Sequence, residues 1–194
     1  MHPEFLAHVA RYVPLGEAET AVLPSYFTPR HLRKKELLLR QGEHAQHEAF
    51  VVRGCLRAYH TDAGGKEHII RFAAEGWWIG DLGSFHHGTP AGYTIEALED
   101  TELLVYTKLD EEALLARLPQ LETWFRQLYR SGIIALQQRM LDTISQTADE
   151  RYADFLRRYP RLEQRVPQYM VAAYLGITPQ FLSQLRRRAA SAKK

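Results

Sequence analysis

Residues 168–188, QYMVAAYLGITPQFLSQLRRR, decide how this chain is read. Gln168 to Leu175 fits a short helix with Val171, Ala172 and Leu175 on one side, Gly176 supplies a turn at positive φ, and Thr178 to about Arg188 fits a second helix. Thr178 is a suitable N-cap, and Pro179 stands at the first helical position, where its missing N–H costs nothing. Ala172 is small enough for the two helices to approach closely, and Ile177, Leu182 and Leu185 turn toward their shared core. At about 100° per residue, the opposite face of the second helix carries Gln180, Ser183, Gln184 and Arg187, with Phe181 at its edge. Gln pairs with N6 and N7 of adenine in the major groove, Ser is an adaptable donor or acceptor, Phe181 can touch a thymine methyl, and Arg186, Arg187 and Arg188 suit phosphates. A helical hairpin with a solvated polar face is the alternative. The short turn, the caps and the local charge favour a helix-turn-helix, with Thr178, Gln180, Phe181, Ser183, Gln184, Arg186, Arg187 and Arg188 as its DNA-binding residues.

The charge supports this placement. Net charge over the 194 residues is only +2, but residues 1–148 hold 15 Lys+Arg against 19 Asp+Glu, while residues 149–194 hold 10 against 4. An acidic body joined to a small basic module points to a polyanionic partner, double-stranded DNA first. Thr147-Ala148-Asp149-Glu150 fits a capping box at the same place, so a boundary is expected near residue 146.

Upstream lies a long helix, about residues 120–146. Leu121, Phe125, Leu128, Ile133, Leu136, Met140 and Ile144 recur at three- to five-residue intervals and form an apolar stripe. A helix of this length, about 37 Å at 1.5 Å per residue, overhangs a domain this small, so pairing of two copies along the stripe is expected. Before it, from about Lys35, the period changes. LLLR, AFVVRG, CLRAYH, HIIRFA and GWWI are short strand-like runs between polar or Gly-bearing turns, with Asp62-Ala63-Gly64-Gly65 as a hairpin tip and TIEALEDTELLVYT (94–107) as two more strands. Short helices are expected over residues 3–27. The class is α+β, with a small barrel or jelly roll.

Several functions are disfavoured. At 45% apolar and 25% charged residues, this is the composition of an ordinary globular domain. No apolar run is long enough to span a bilayer and no secretory leader is evident, so a cytoplasmic location without a membrane partner is expected. The single Cys55 cannot build an intrachain disulfide or a Cys-rich metal site and reads as an inert buried thiol. All nine histidines precede residue 88, which raises a cupin-like metal enzyme as a rival. The spacing of Gly42-Glu43-His44-Ala45-Gln46-His47-Glu48 does not converge on one metal, and His86-His87 reads as a loop, so neither a metal nor an enzyme is expected.

With these parts in this order, the chain resembles the cyclic-AMP receptor and FNR superfamily of bacterial transcription regulators. The likeness runs from LLLRQGEHAQHEAFVVRGCLRAYHTDAGGKEHIIRF through GWWIGDLGSF and TIEALEDTELLVY to AAYLGITPQFLSQLRRR. It implies an N-terminal cyclic-nucleotide-binding-like β-roll (1–118), a long dimerisation helix (119–146) and a C-terminal winged helix-turn-helix (147–194). It also implies a homodimer with RNA polymerase as a further partner. The effector pocket would comprise Gly80, Asp81, Leu82, Gly92, Tyr93 and Thr94. Cyclic-nucleotide binders of the family carry Gly-Glu-Leu and then Arg-Ser or Arg-Thr. Here Gly80-Asp81-Leu82 and Ala91-Gly92 stand in those places, and no arginine lies between Arg71 and Arg117. The phosphate-binding Arg is therefore absent, no cofactor is expected, and any small-molecule effector is something other than cyclic AMP. A dimeric protein-interaction module that does not bind DNA is the remaining alternative.

Overall fold

Glycines and polar pairs cut the segment from Thr28 to Tyr106 into eight strands in the computed structural model, which describes residues 2–191. They are β1 (Thr28–Leu32), β2 (Leu37–Leu39), β3 (Glu48–Arg53), β4 (Leu56–Thr61), β5 (Glu67–Ala73), β6 (Trp78–Ile79), β7 (Thr94–Ala97) and β8 (Thr101–Tyr106). Two antiparallel four-stranded sheets, ordered β1-β8-β3-β6 and β2-β7-β4-β5, make the roll. The hairpin tip at 62–65 joins β4 to β5. Asp62 Oδ1 accepts from Gly64 N at 2.9 Å and Lys66 N at 3.0 Å, and Gly65 takes φ +80°.

The two strands of residues 94–107 do not pair with each other. Around Glu99-Asp100 the chain passes from one sheet to the other, and it does the same at Gly54 between β3 and β4. These crossings lie back to back. A Cβ on Gly54 would sit 2.4 Å from Thr101 Oγ1 and 2.7 Å from Thr101 Cα, and φ is +108°, so only glycine fits the close approach.

The helix-facing side of the first sheet carries an aromatic cluster: Phe5 from α1 (Pro3–Ala10) packs edge-on against Phe50 and Trp124, and Trp78 makes tilted or edge-on contacts with Phe50, Tyr106 and Trp124. α2 (Glu17–Val22) and a 3₁₀ turn lead into β1. Residues 82–87 form a short helix, α3 (Leu82–His87), so His86 and His87 are helical rather than in a loop. The local reason is its caps: Asp81 accepts from Ser84 N at the start, and Gly88 ends it at φ +66°.

α4 (Lys108–Arg117) precedes the long helix α5 (Leu121–Ser145), whose 25 residues match the expected span. Its first turns belong to the roll. Leu121 and Phe125, expected on the dimer stripe, are 0% and 3% exposed and pack in the roll's core, and Leu128 is half-buried, so the open stripe begins only at Ile133. The roll therefore covers more of this helix than the spacing alone indicates.

The C-terminal module comprises α6 (Ala148–Arg158), α7 (Leu162–Arg165), α8 (Gln168–Leu175) and α9 (Pro179–Ser191). Its core of Tyr152, Phe155, Leu162, Met170, Val171, Leu175, Leu182 and Leu185 is continuous with Cys55, Ile69, Phe72 and Leu98 of the roll. Burial pushes the Cys55 thiol up to about 12, consistent with an inert packing role. α9 runs to Ser191, the last described residue, so the wing implied by the resemblance, which would follow it, lies outside the described residues.

The capping box expected at Thr147 opens α6: Thr147 Oγ1 accepts from Glu150 N at 3.3 Å while Thr147 N donates to Glu150 Oε2 at 2.8 Å. Thr147→Ala should lower stability by about 1 kcal/mol, measured by urea unfolding, and should leave Thr147→Ser near wild type.

Candidate functional site: a reading helix, an open seam and a closed cassette

The reading head is built by local chemistry. Gly176, at φ +68°, ends α8, and Ile177 N returns to Ala172 O at 3.0 Å. Thr178 Oγ1 then accepts from Phe181 N at 3.2 Å, fixing the start of α9. Leu182 and Leu185 are buried against Val171 and Leu175, which turns Gln180, Gln184, Arg187 and Arg188 to solvent and leaves Phe181 and Ser183 half-buried. Arg186 and Arg188, both expected on phosphates, have acidic neighbours. Arg186 Nε lies 3.1 Å from Glu163, which also accepts from the Tyr152 hydroxyl at 2.6 Å, and Arg188 lies 3.6 Å from Asp149.

Past its covered foot, α5 presents Ile133, Ile134, Leu136, Met140, Leu141 and Ile144, each more than half exposed. Ile133 and Met140, like Ile134 and Leu141, are seven residues apart, the repeat of a two-helix seam. Ile134 and Leu141 lie off the stripe that Leu121 and Phe125 begin, because those two residues face the roll.

The cassette brings together Gly80, Asp81, Gly92, Tyr93 and Thr94. Asp81 Oδ1 accepts from Ser84 N at 3.1 Å and its Oδ2 from Gly92 N at 2.9 Å. The Tyr93 hydroxyl donates to Gly80 O at 2.6 Å, Thr94 Oγ1 accepts from Gln41 N at 3.1 Å, and Gly92 O meets His60 Nδ1 at 2.8 Å. Leu82 does not join them: its side chain points out and is 42% exposed. The loop is satisfied by the chain's own groups, with the Asp81 carboxylate holding the amides on both sides.

Two charged residues beside the cassette were not anticipated. Glu48 is 4% exposed with Oε1 unpartnered, and a methyl at Gly80 would sit 1.9 Å from that oxygen. Burial pushes the Glu48 carboxyl up to about 7; Asp81 and Glu111 push the same way and Arg71 opposes them. Arg71, on β5, has a buried Nε without a partner, so the nearest cation comes from a strand and not from the cassette loop. The signal for Glu48 was available: by the strand period of two it shares a face with apolar Phe50. Among the described residues, no group of three or more His, Cys, Asp or Glu is placed to hold a metal ion, and no helix is long and apolar enough to cross a membrane.

A β-roll with a short cassette helix, joined through a long helix to a helix-turn-helix, is the build of a one-chain transcription regulator. Residues 29–117 match the cyclic nucleotide-binding domain family. The transcriptional activator protein FnrA of Stutzerimonas stutzeri is 31% identical over 172 residues, covering 82% of this chain and 69% of that protein. The transcriptional activator protein Anr of Pseudomonas protegens is 34% identical over 129 residues, 66% of this chain and 51% of that protein. The structure of FixK2 from Bradyrhizobium japonicum shares the fold at a TM-score of 0.76 and 21% identity, with 86% of each chain covered. The chain belongs to the CRP/FNR superfamily of bacterial transcription regulators.

Proposed function

We propose that the chain acts as a homodimer that binds a specific double-stranded DNA sequence and regulates transcription there, with RNA polymerase as the further partner. The observation that carries this reading is the solvent-facing Gln180 and Gln184 on a helix whose other face is locked by Leu182 and Leu185. Such a helix enters a major groove with its N-terminal residues at the base edges. Two copies paired along α5 place two reading helices on one face of the duplex, with half-sites about 34 Å apart. Selection of bound DNA from a random library by the purified protein tests this, and an inverted repeat is the expected result. No enrichment under any salt condition would overturn it.

On the selected operator, Gln180→Ala or Gln184→Ala should each lose roughly 1–3 kcal/mol of discrimination at one base position, read by competition with single-base operator variants. A loss equal for all sequences would remove the base-reading role.

The cassette needs no nucleotide in this proposal. The Gly92 N–H, which would face a ligand phosphate, already donates to Asp81, and the carboxylate repels a second anion in its place. Cyclic AMP at millimolar concentration should leave both the melting temperature and the operator affinity unchanged. A stabilisation that grows with nucleotide concentration would show that the cassette opens to take it.

A further inference from the structure

α7 has four residues, and two of them are charged in opposite directions. Glu163 and Arg165 stand two positions apart, about 200° around the helix, so they point to opposite sides. Glu163 faces the reading module, where its Oε1 holds Arg186 of α9 at 3.1 Å and accepts from Tyr152 of α6 at 2.6 Å. Arg165 faces the roll. Its guanidinium forks onto Glu75 at 2.7 and 2.8 Å and also bonds Glu99. Both acids hold the crossings described above: Glu75, from the connection between β5 and β6, accepts from Gly54 N at 2.9 Å, and Glu99 lies in the crossing between β7 and β8, where its carbonyl accepts from the Thr101 hydroxyl at 2.8 Å. Leu162 and Val166 bury the flanks of α7 in the core shared by the roll and the reading module. Two sets of ion pairs, joined only through the backbone of α7, thus link the roll's crossings to the middle of the reading helix.

We infer that α7 is the coupling element between the roll and the reading helix, with Glu163 and Arg165 as positioning residues that set the angle at which α9 is presented. Arg186 is then a strut of this chain and not a phosphate contact. The inference rests on the DNA-reading role proposed above, but it is separable from it. Its distinguishing feature is a sign. Neutralising Glu163, Glu75 or Glu99 makes the protein more positive, and bare electrostatics would then tighten binding to DNA. Loss of a strut weakens it.

The test measures affinity for the selected operator across a salt series for Glu163→Gln, Arg165→Gln, Arg186→Gln and the double change Glu75→Gln with Glu99→Gln. Each should bind about three- to tenfold more weakly, for partly exposed pairs of this kind, with the salt slope unchanged. Combining Glu163→Gln with Arg186→Gln should cost no more than either alone, because both remove the same strut. Arg165→Lys, which keeps the charge but loses the fork, should fall between wild type and Arg165→Gln. Tighter or unchanged binding by the Glu variants would overturn the inference. So would an Arg186→Gln variant whose salt slope drops by about one, the mark of a lost phosphate contact. A readout without DNA is amide hydrogen exchange: Arg165→Gln should speed exchange at residues 182–185 while leaving β3 and β8 protected. If the library yields no operator, the DNA-reading role falls, and the exchange result alone decides whether α7 couples the two parts.

Discussion

Replacing Ile134 and Leu141 together by glutamate should convert the protein to a folded monomer and weaken operator binding by at least about a hundredfold. In one copy these side chains are 57% and 54% exposed and make no part of either core, so the substitutions cost the protomer little. In the paired state each change counts twice, and four carboxylates enter the seam. Burying a charge without a partner costs several kcal/mol after relaxation, which exceeds the margin by which an apolar helix seam of about three turns holds two chains at micromolar concentration. DNA binding follows the dimer, because one reading helix has half the contacts and none of the spacing information of two. Gel filtration with light scattering gives the oligomeric state, and fluorescence anisotropy on the operator gives the affinity. A variant that remains dimeric with full affinity would place the seam elsewhere. Leu128→Glu is a useful control: the residue is half-buried near the foot of the helix, so it should reduce stability before it reduces association.

The seam also shows what sequence can and cannot carry. Spacing gave α5 its length and its apolar period, since both are local properties of a helix. It could not say which part of the stripe the roll already covers, because Phe5, Trp78 and Tyr106, which enclose Trp124 and Phe125, come from distant segments. The reading head was legible almost to the residue, for the opposite reason: Thr178, Pro179 and Gly176 act within one or two turns of themselves. The ion pairs of Arg186 and Arg188 were not. Arg186 reads as a phosphate ligand in isolation, and its neighbour Glu163 lies 23 positions earlier in a helix too short to show a period. The strands were legible, but their distribution between two sheets was not. Glu99-Asp100 has the composition of a hairpin tip, and nothing local shows that its two strands join different sheets; that follows from Gly54 packing on Thr101. In the cassette, the absence of the phosphate-binding Arg was readable, while the closure of the loop by Asp81 depends on its reach to Gly92, 11 residues on.

Glu48→Gln should stabilise the protein by roughly 3 kcal/mol at pH 8 and have little effect at pH 5, because the wild-type carboxyl ionises near 7 rather than at its ordinary value near 4.5. The sign follows from linkage. A carboxyl whose pKa is raised in the folded state holds its proton more tightly there than in the unfolded chain, so between about pH 4.5 and 7 unfolding releases a proton and stability falls as pH rises. Above 7 the folded protein carries the full cost of a buried charge; below 4.5 both states are protonated and no difference remains. Gln preserves the shape and cannot ionise, so the variant keeps at pH 8 what wild type has only in acid. Burial sets most of the cost: Arg71 offsets part of it, Asp81 and Glu111 add repulsion, and no hydrogen bond to Oε1 compensates for desolvation. Urea unfolding of the two proteins from pH 5 to 8 should give curves that separate progressively with pH. Curves that stay parallel would show that Glu48 ionises in the ordinary carboxylate range. Asp81→Asn supplies the complementary test within the same site. It removes one repelling charge and weakens the clamp on Gly92 and Ser84, so the separation from its own Glu48→Gln double variant should shrink, while amide exchange at residues 91–93 speeds up. The cassette would then be held closed by the Asp81 hydrogen bonds at the expense of a neighbouring acid, Glu48, whose pKa burial raises.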